Sequence, residues 1–146
     1  MINSKPHILI VESPYYTQIS EFLAQGAVDY LEAQGATYER LEVPGALEIP
    51  AAIKFAKVSE QFDGFIALGC VIRGETSHYD IVCEGSAGLL TQLSVDYDLA
   101  IGNGILTCEN KDQATCRADP AQKNKGRDAA EAALKMVEIK KLFRVF

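Results

Sequence analysis

The chain has 146 residues, 48% of them hydrophobic and 23% charged, a balance that fits one globular domain spanning 1–146 and excludes a disordered, collagen-like or disulfide-scaffold protein. Its apolar runs fall far short of the ~20 residues of a membrane-spanning helix, and Met1 to Lys5 lacks the apolar core of a signal peptide, so the cytoplasm is the expected location. Fourteen basic and twenty acidic residues give a net charge of −6, which disfavours nucleic acid and anionic membranes as partners.

His7 to Glu12 is a short apolar run closed by Ser13-Pro14, the pattern of a buried strand. From Tyr16 to about Gln34, Ile19, Leu23, Ala27, Tyr30 and Leu31 recur at helical spacing, with Gly35 placed for a C-terminal cap. Ala36 to Val43 reads as extended and Pro44-Gly45 as its end. Pro50 is tolerated only in a first helical turn, so the helix through Ala51, Ile53, Phe55 and Ala56 is predicted to begin near Ile49. Gly64 to Ile72, GFIALGCVI, is the clearest strand, followed by the polar turn Arg73-Gly74-Glu75-Thr76. The spacing predicts a helix from about Ser77 to Asp96 with Val82, Ser86, Leu89 and Leu93 along one stripe, and Ser77-x-x-Asp80 resembles a capping box. Leu99 to Leu106 is a fourth strand. A short helix near Asn110 to Ala118, a break at Asp119-Pro120 and a helix from about Lys123 to Lys141 complete the chain.

Strands alternating with helices, each strand apolar enough for cover on two sides, predict an α/β three-layer αβα sandwich with a four-stranded parallel sheet and flavodoxin-like, right-handed crossovers. Ligands in such folds occupy the crevice beyond the carboxyl ends of the strands. Residues just after Glu12, Val43, Ile72 and Leu106 are therefore the functional candidates.

Gly74-Glu75-Thr76-Ser77-His78 brings backbone N–H groups and a hydroxyl to a helix start, a geometry suited to an anion such as phosphate; a plain N-cap is the alternative. His78 lies in that first turn, and an imidazole can pass protons either way near neutrality. His7, at the opposite end of its strand, has no such case. Glu48 stands at another helix start and Tyr15 offers an aromatic face for a flat heterocycle, although dipole complementation and core packing would also account for them. Residues 1–110 carry 5 basic and 15 acidic side chains and residues 111–146 carry 9 and 5. Arg117 and Lys125 thus lie in a basic third that could hold a small anion. Cysteines 70, 83, 108 and 116 form no CxxC and pair with no histidine, so buried reduced thiols are expected, with no metal. There is no GxGxxG and no Walker loop.

VPGALEIP at 43–50, GCVIRGETSHYDIVCEG at 69–85, GILTCEN at 104–110 and NKG at 124–126 closely resemble the lumazine synthase family of riboflavin biosynthesis. The likeness is collinear over almost the whole chain. It implies cofactor-free condensation of 5-amino-6-(D-ribitylamino)uracil with 3,4-dihydroxy-2-butanone 4-phosphate to 6,7-dimethyl-8-ribityllumazine, the penultimate step of that pathway, with release of phosphate and water. By this resemblance His78 transfers protons, and Glu75, Thr76, Arg117 and Lys125 serve the butanone phosphate. Tyr15, Ala46, Leu47, Glu48, Cys70, Val71, Ile72 and Asn103 meet the pyrimidine and its ribityl chain. Tyr15 stands where many members have Phe, Glu75 where a small residue is common, and Asn103 where a bulky apolar one is usual. The resemblance also implies small-molecule substrates and a homopentamer whose active site is shared between adjacent subunits. Some members build sixty-subunit shells and usually carry a Gly-rich segment between the last two helices. Asp119-Pro120-Ala121-Gln122-Lys123-Asn124 stands there instead and the N-terminal arm is short, so an isolated pentamer is expected. A non-catalytic lumazine- or flavin-binding protein would have no use for the phosphate residues, and a flavodoxin-like electron carrier would leave the GxTxH turn unexplained.

Overall fold

A computed structural model describes residues 5–146. The expectations drawn from the first residues, Lys5 apart, fall outside that range. Four parallel strands, β1 (His7–Glu12), β2 (Thr37–Glu42), β3 (Gly64–Ile72) and β4 (Ile101–Cys108), lie in the order β2-β1-β3-β4. The helices are α1 (Thr17–Ala33), α2 (Ile49–Val58), α3 (His78–Tyr97), α4 (Lys111–Ala118) and α5 (Lys125–Leu142), with a 3₁₀ turn at Ala46–Glu48. They form the expected three layers.

Alternation along the strands sorts the core into two halves. Ile8 and Ile10 of β1, Ile66 and Leu68 of β3 and Leu106 and Cys108 of β4 face α1, α4 and α5. Leu9, Val11, Phe65 and Ala67 turn the other way, onto Ile49 and Ile53 of α2 and Leu90 of α3. α5 comes close because Gly102 and Gly104 of β4 have no side chain: a Cβ on Gly102 would collide with the Ala129 backbone. Gly126 lets α5 meet α1 in the same way, against the Leu23 backbone.

Four expectations need correction. The strands are not all covered on both faces: β2 is an edge strand, mostly exposed, and Glu39, Arg40 and Glu42 suit it to that place. β4, the other edge, starts at Ile101 rather than Leu99 and leaves Asn103 and Thr107 exposed. The buried stripe of α3 runs through Val82, Ser86 and Leu90, while Leu89 is 54% exposed. Ser86 can sit there because its hydroxyl donates to the Val82 carbonyl at 2.7 Å. Finally, no capping box forms at Ser77, whose side chain makes no cap hydrogen bond. The Thr76 hydroxyl accepts from the His78 amide at 3.3 Å instead, and Asp80 turns to Arg73.

The remaining boundaries follow local chemistry. Gly35, at φ 76°, ends α1, and Pro50 lies in the first turn of α2. α4 opens with a reciprocal cap: Asn110 Oδ1 accepts from the Gln113 amide and Gln113 Oε1 from the Glu109 amide, both at 2.9 Å. α5 begins at Lys125 after Asn124 in the left-handed region.

Candidate active site

The carboxyl ends of β1, β2 and β3 lie side by side, and main-chain bonds continue past them: Ser13 N–H donates to the Leu68 carbonyl and Val43 N–H to the Glu12 carbonyl, both at 2.9 Å. The loops that leave these ends form a crest. Tyr15 stands 76% exposed, edge-on to Tyr16 at 4.9 Å between centroids. A cleft of about 390 Å³ lies between Pro14-Tyr15 and Glu42-Val43-Pro44. The 3₁₀ turn buries Ala46 and exposes Leu47 and Glu48. On β3, Cys70 is buried, with Val71 and Ile72 half-buried. Burial, and then proximity to Cys108, pushes the Cys70 thiol up to about 12, so it stays protonated and offers a neutral surface to a ligand. All four cysteines are unpaired thiols. Cys83 and Cys116 are half-buried rather than buried.

Beyond Ile72 the chain enters the turn that carries Glu75, Thr76 and His78, all exposed. His78 is the first residue of α3 and so stands where unpaired helix N–H groups and the positive end of the dipole are presented. Arg73 organises this turn, and the sequence reading passed over it. Its Nε donates to Glu109 Oε2 at 2.8 Å, its Nη2 lies 3.3 Å from Asp80 Oδ1, and its guanidinium covers the Tyr79 ring at 4.3 Å. Its amide also donates to the Cys108 carbonyl at 3.0 Å. Arg73 thereby ties the first turn of α3 to the loop after β4. A rare basic residue in an acidic stretch, abutting the turn, is the signal that could have drawn attention to it.

Asn103, Arg117 and Lys125 lie elsewhere. They line a cleft of about 310 Å³ along the open edge of β4, with Thr107 and Asp128, and no residue of the β3–α3 turn borders it. Arg117 is held by a bond from Nη1 to the Gln113 carbonyl at 3.3 Å, Lys125 by Asp128 at 3.2 Å, and Asn103 Oδ1 accepts from the Ile105 amide at 2.9 Å. The fold therefore gathers the candidates into two groups. One is a crest with an aromatic ring, a carboxylate, a thiol and an imidazole; the other is a cationic cleft. One protomer does not bring both into one pocket. Among the described residues no cluster of His, Cys, Asp and Glu is arranged to hold a metal ion, and no helix is long and apolar enough to cross a membrane.

The sequence profile of 6,7-dimethyl-8-ribityllumazine synthase matches residues 5–141. The chain belongs to the lumazine synthase family. Relatives named 6,7-dimethyl-8-ribityllumazine synthase share 54% identity with it in Bartonella bacilliformis, covering 97% of this chain and 95% of the relative. The one in Agrobacterium fabrum shares 52%, covering 94% and 97%. The 6,7-dimethyl-8-ribityllumazine synthase 1 of Rhizobium meliloti shares 51%, covering 96% and 95%. Identity at this level along both chains leaves no room for a rearranged sheet. The GETSH turn and the NKG segment both lie within the matched residues 5–141.

Proposed function

We propose that this chain catalyses the condensation of 5-amino-6-(D-ribitylamino)uracil with 3,4-dihydroxy-2-butanone 4-phosphate to 6,7-dimethyl-8-ribityllumazine, with loss of phosphate and water. Family membership over residues 5–141 supports it, and the observation that carries it into chemistry is the exposed His78 at the N-terminus of α3, beside Thr76. The 5-amino group attacks the ketone, and water leaves as the imine forms. A proton is then moved from the carbon beside the imine so that phosphate departs, the resulting enol takes up a proton to become a methyl ketone, and the ribitylamino nitrogen attacks that ketone and closes the ring with loss of a second water. His78 carries the protons. The N–H groups of the turn, that of Glu75 among them, and the Thr76 hydroxyl face the departing dianion while the Glu75 carboxylate points away, and Arg117 and Lys125 add positive charge. Tyr15, Ala46, Leu47, Glu48, Cys70, Val71, Ile72 and Asn103 hold the pyrimidine and its ribityl chain. Both reactants are intrinsically reactive, so the protein contributes chiefly juxtaposition, with proton transfer supplying about 10²–10⁴ at most.

The working unit in this reading is a homopentamer of single-domain protomers in the cytoplasm. Two observations support assembly. Arg117 and Lys125 sit in a cleft apart from the His78 turn, so a neighbour must supply one to the other. α3 exposes Ile81, Leu89 and Val95, an apolar face that a lone protomer would leave in water. The Asp119–Asn124 segment favours the isolated pentamer over a shell, and light scattering separates the two.

Mixing the purified chain with both substrates should produce lumazine fluorescence; a chain that yields none refutes the function. The shared site is tested by co-refolding His78→Ala with Arg117→Ala chains. Sites shared between chains regain about a quarter of the wild-type complement, because one site in four draws both intact groups. Sites contained within one chain regain none.

A further inference from the structure

Among the described residues Glu12 is the one charged side chain that is buried, only 3% exposed. A lone carboxylate there would be strongly unfavourable. Arg40 answers it from β2 in a forked pair, Nε to Oε2 at 2.6 Å and Nη2 to Oε1 at 2.8 Å. The proposed reaction makes no use of either residue.

The pair is placed at the root of the crest. Arg40 lies opposite Ile10, so its guanidinium reaches forward to the last residue of β1. The Glu12 carbonyl accepts from the Val43 amide, and the next residue, Ser13, donates to Leu68. Glu12 is thus the joint from which the Pro14-Tyr15 loop departs, alongside the Val43–Glu48 segment. Pro14-Tyr15 and the Glu42-Val43-Pro44 stretch at the start of that segment flank the cleft beside Tyr15. The Tyr15 ring is exposed and its one ring-to-ring contact is with Tyr16, so its placement is set by the backbone beneath it. Lysine could neutralise Glu12 but could not grip both oxygens in one plane.

We propose that Arg40 is a positioning residue for recognition of the uracil substrate: by gripping Glu12 with two bonds, it fixes the strand end that sets Tyr15 across the cleft from Glu42-Val43-Pro44. The role rests on the lumazine synthase reading above. Steady-state kinetics test it, with each substrate varied in turn. Arg40→Met should raise KM for the ribitylaminouracil about 5–10-fold, because misplaced stacking weakens ground and transition states alike. KM for the butanone phosphate and kcat should stay within about twofold of wild type, and Arg40→Lys should recover most of the lost affinity. An Arg40→Met enzyme with unchanged KM for the uracil overturns the proposal. So does a uniform loss of activity that tracks the folded fraction, the mark of a merely structural pair. If Arg40→Met does not fold, the double variant Glu12→Gln/Arg40→Met, which buries no charge, is measured instead, with the same KM split expected and a wild-type KM refuting it. If that does not fold either, Arg40→Lys decides: its uracil KM should rise about twofold, with the other constants unchanged. A wild-type chain that forms no lumazine removes the function and this role together. A wild type that turns over beside an unaffected Arg40→Met removes the role of Arg40 alone.

Discussion

The two faces of the sheet are built to different standards of closure. On one, α1, α4 and α5 cover Ile8, Ile10, Ile66, Leu68, Leu106 and Cys108, and glycines at 102, 104 and 126 let backbones approach until nothing else fits. On the other, α2 and α3 cover a smaller core. α3 is twenty residues long, yet only Val82, Ser86 and Leu90 are buried, while Ile81, Leu89 and Val95 face outward. A helix of that length with so narrow a buried stripe leaves an apolar face that the proposed assembly would cover. The closed face holds the protomer together, and the other leaves the apolar side chains of α3 in solvent.

Substitutions can break that contrast, and the largest effect belongs to the closed face. Gly102→Val drives a branched side chain into the Ala129 backbone. It should cost about 3 kcal/mol or more, read as a collapse of the urea midpoint or as failure to accumulate folded protein. On the open face Leu89→Asp should leave the fold intact by circular dichroism and reduce the particle mass in light scattering. Lumazine formation should fall by roughly two orders of magnitude or more, as the cationic cleft is taken from the His78 turn. A variant that stays fully assembled would show that α3 meets no neighbour at Leu89. Within the site, Arg117→Ala should raise KM for the phosphorylated substrate about 10–100-fold, the worth of a charge-assisted contact. His78→Ala should lower kcat about tenfold with little change in either KM. Reversal of that split would exchange their roles. The smallest test concerns helix starts: Asn110→Ala should cost about 1 kcal/mol because its cap bond to Gln113 is made, and Ser77→Ala under about 0.5 kcal/mol because Ser77 makes none. Equal losses in thermal unfolding would contradict this assignment of the caps.

What could be read from the residues follows the same division. β1 and β3 lie where their apolar runs put them, to the residue, since strands covered on both faces leave an unbroken signal. The edge strands blur: β2 is charged along its length, and the start of β4 was misplaced because Leu99 and Ala100 are buried just ahead of the ladder. The α3 stripe slipped from Leu90 to Leu89 because the leucines are adjacent and the helix is apolar on more than one side. Both the Thr76–His78 contact and the Glu12–Arg40 pair depend on side-chain placement that spacing does not encode. The crest was legible from strand ends, which fix where loops emerge. The separation of Arg117 and Lys125 from His78 could not come from spacing, because two residues from neighbouring loops look equally convergent until the sheet's edge is drawn; family likeness implied a site shared between subunits without saying which residues fall apart.

The cleft along β4 and the crest above β3 are separate on one protomer, so in the proposed ring every protomer would serve two reaction centres, one on each side. Dilution alone should then silence the enzyme as rings fall apart, and turnover per chain should climb with protein concentration before levelling off. In that ring a single defective copy would injure both adjoining centres in chemically distinct ways, one losing its proton carrier and the other its grip on the anion. A lesion confined to one flank spares the other centre.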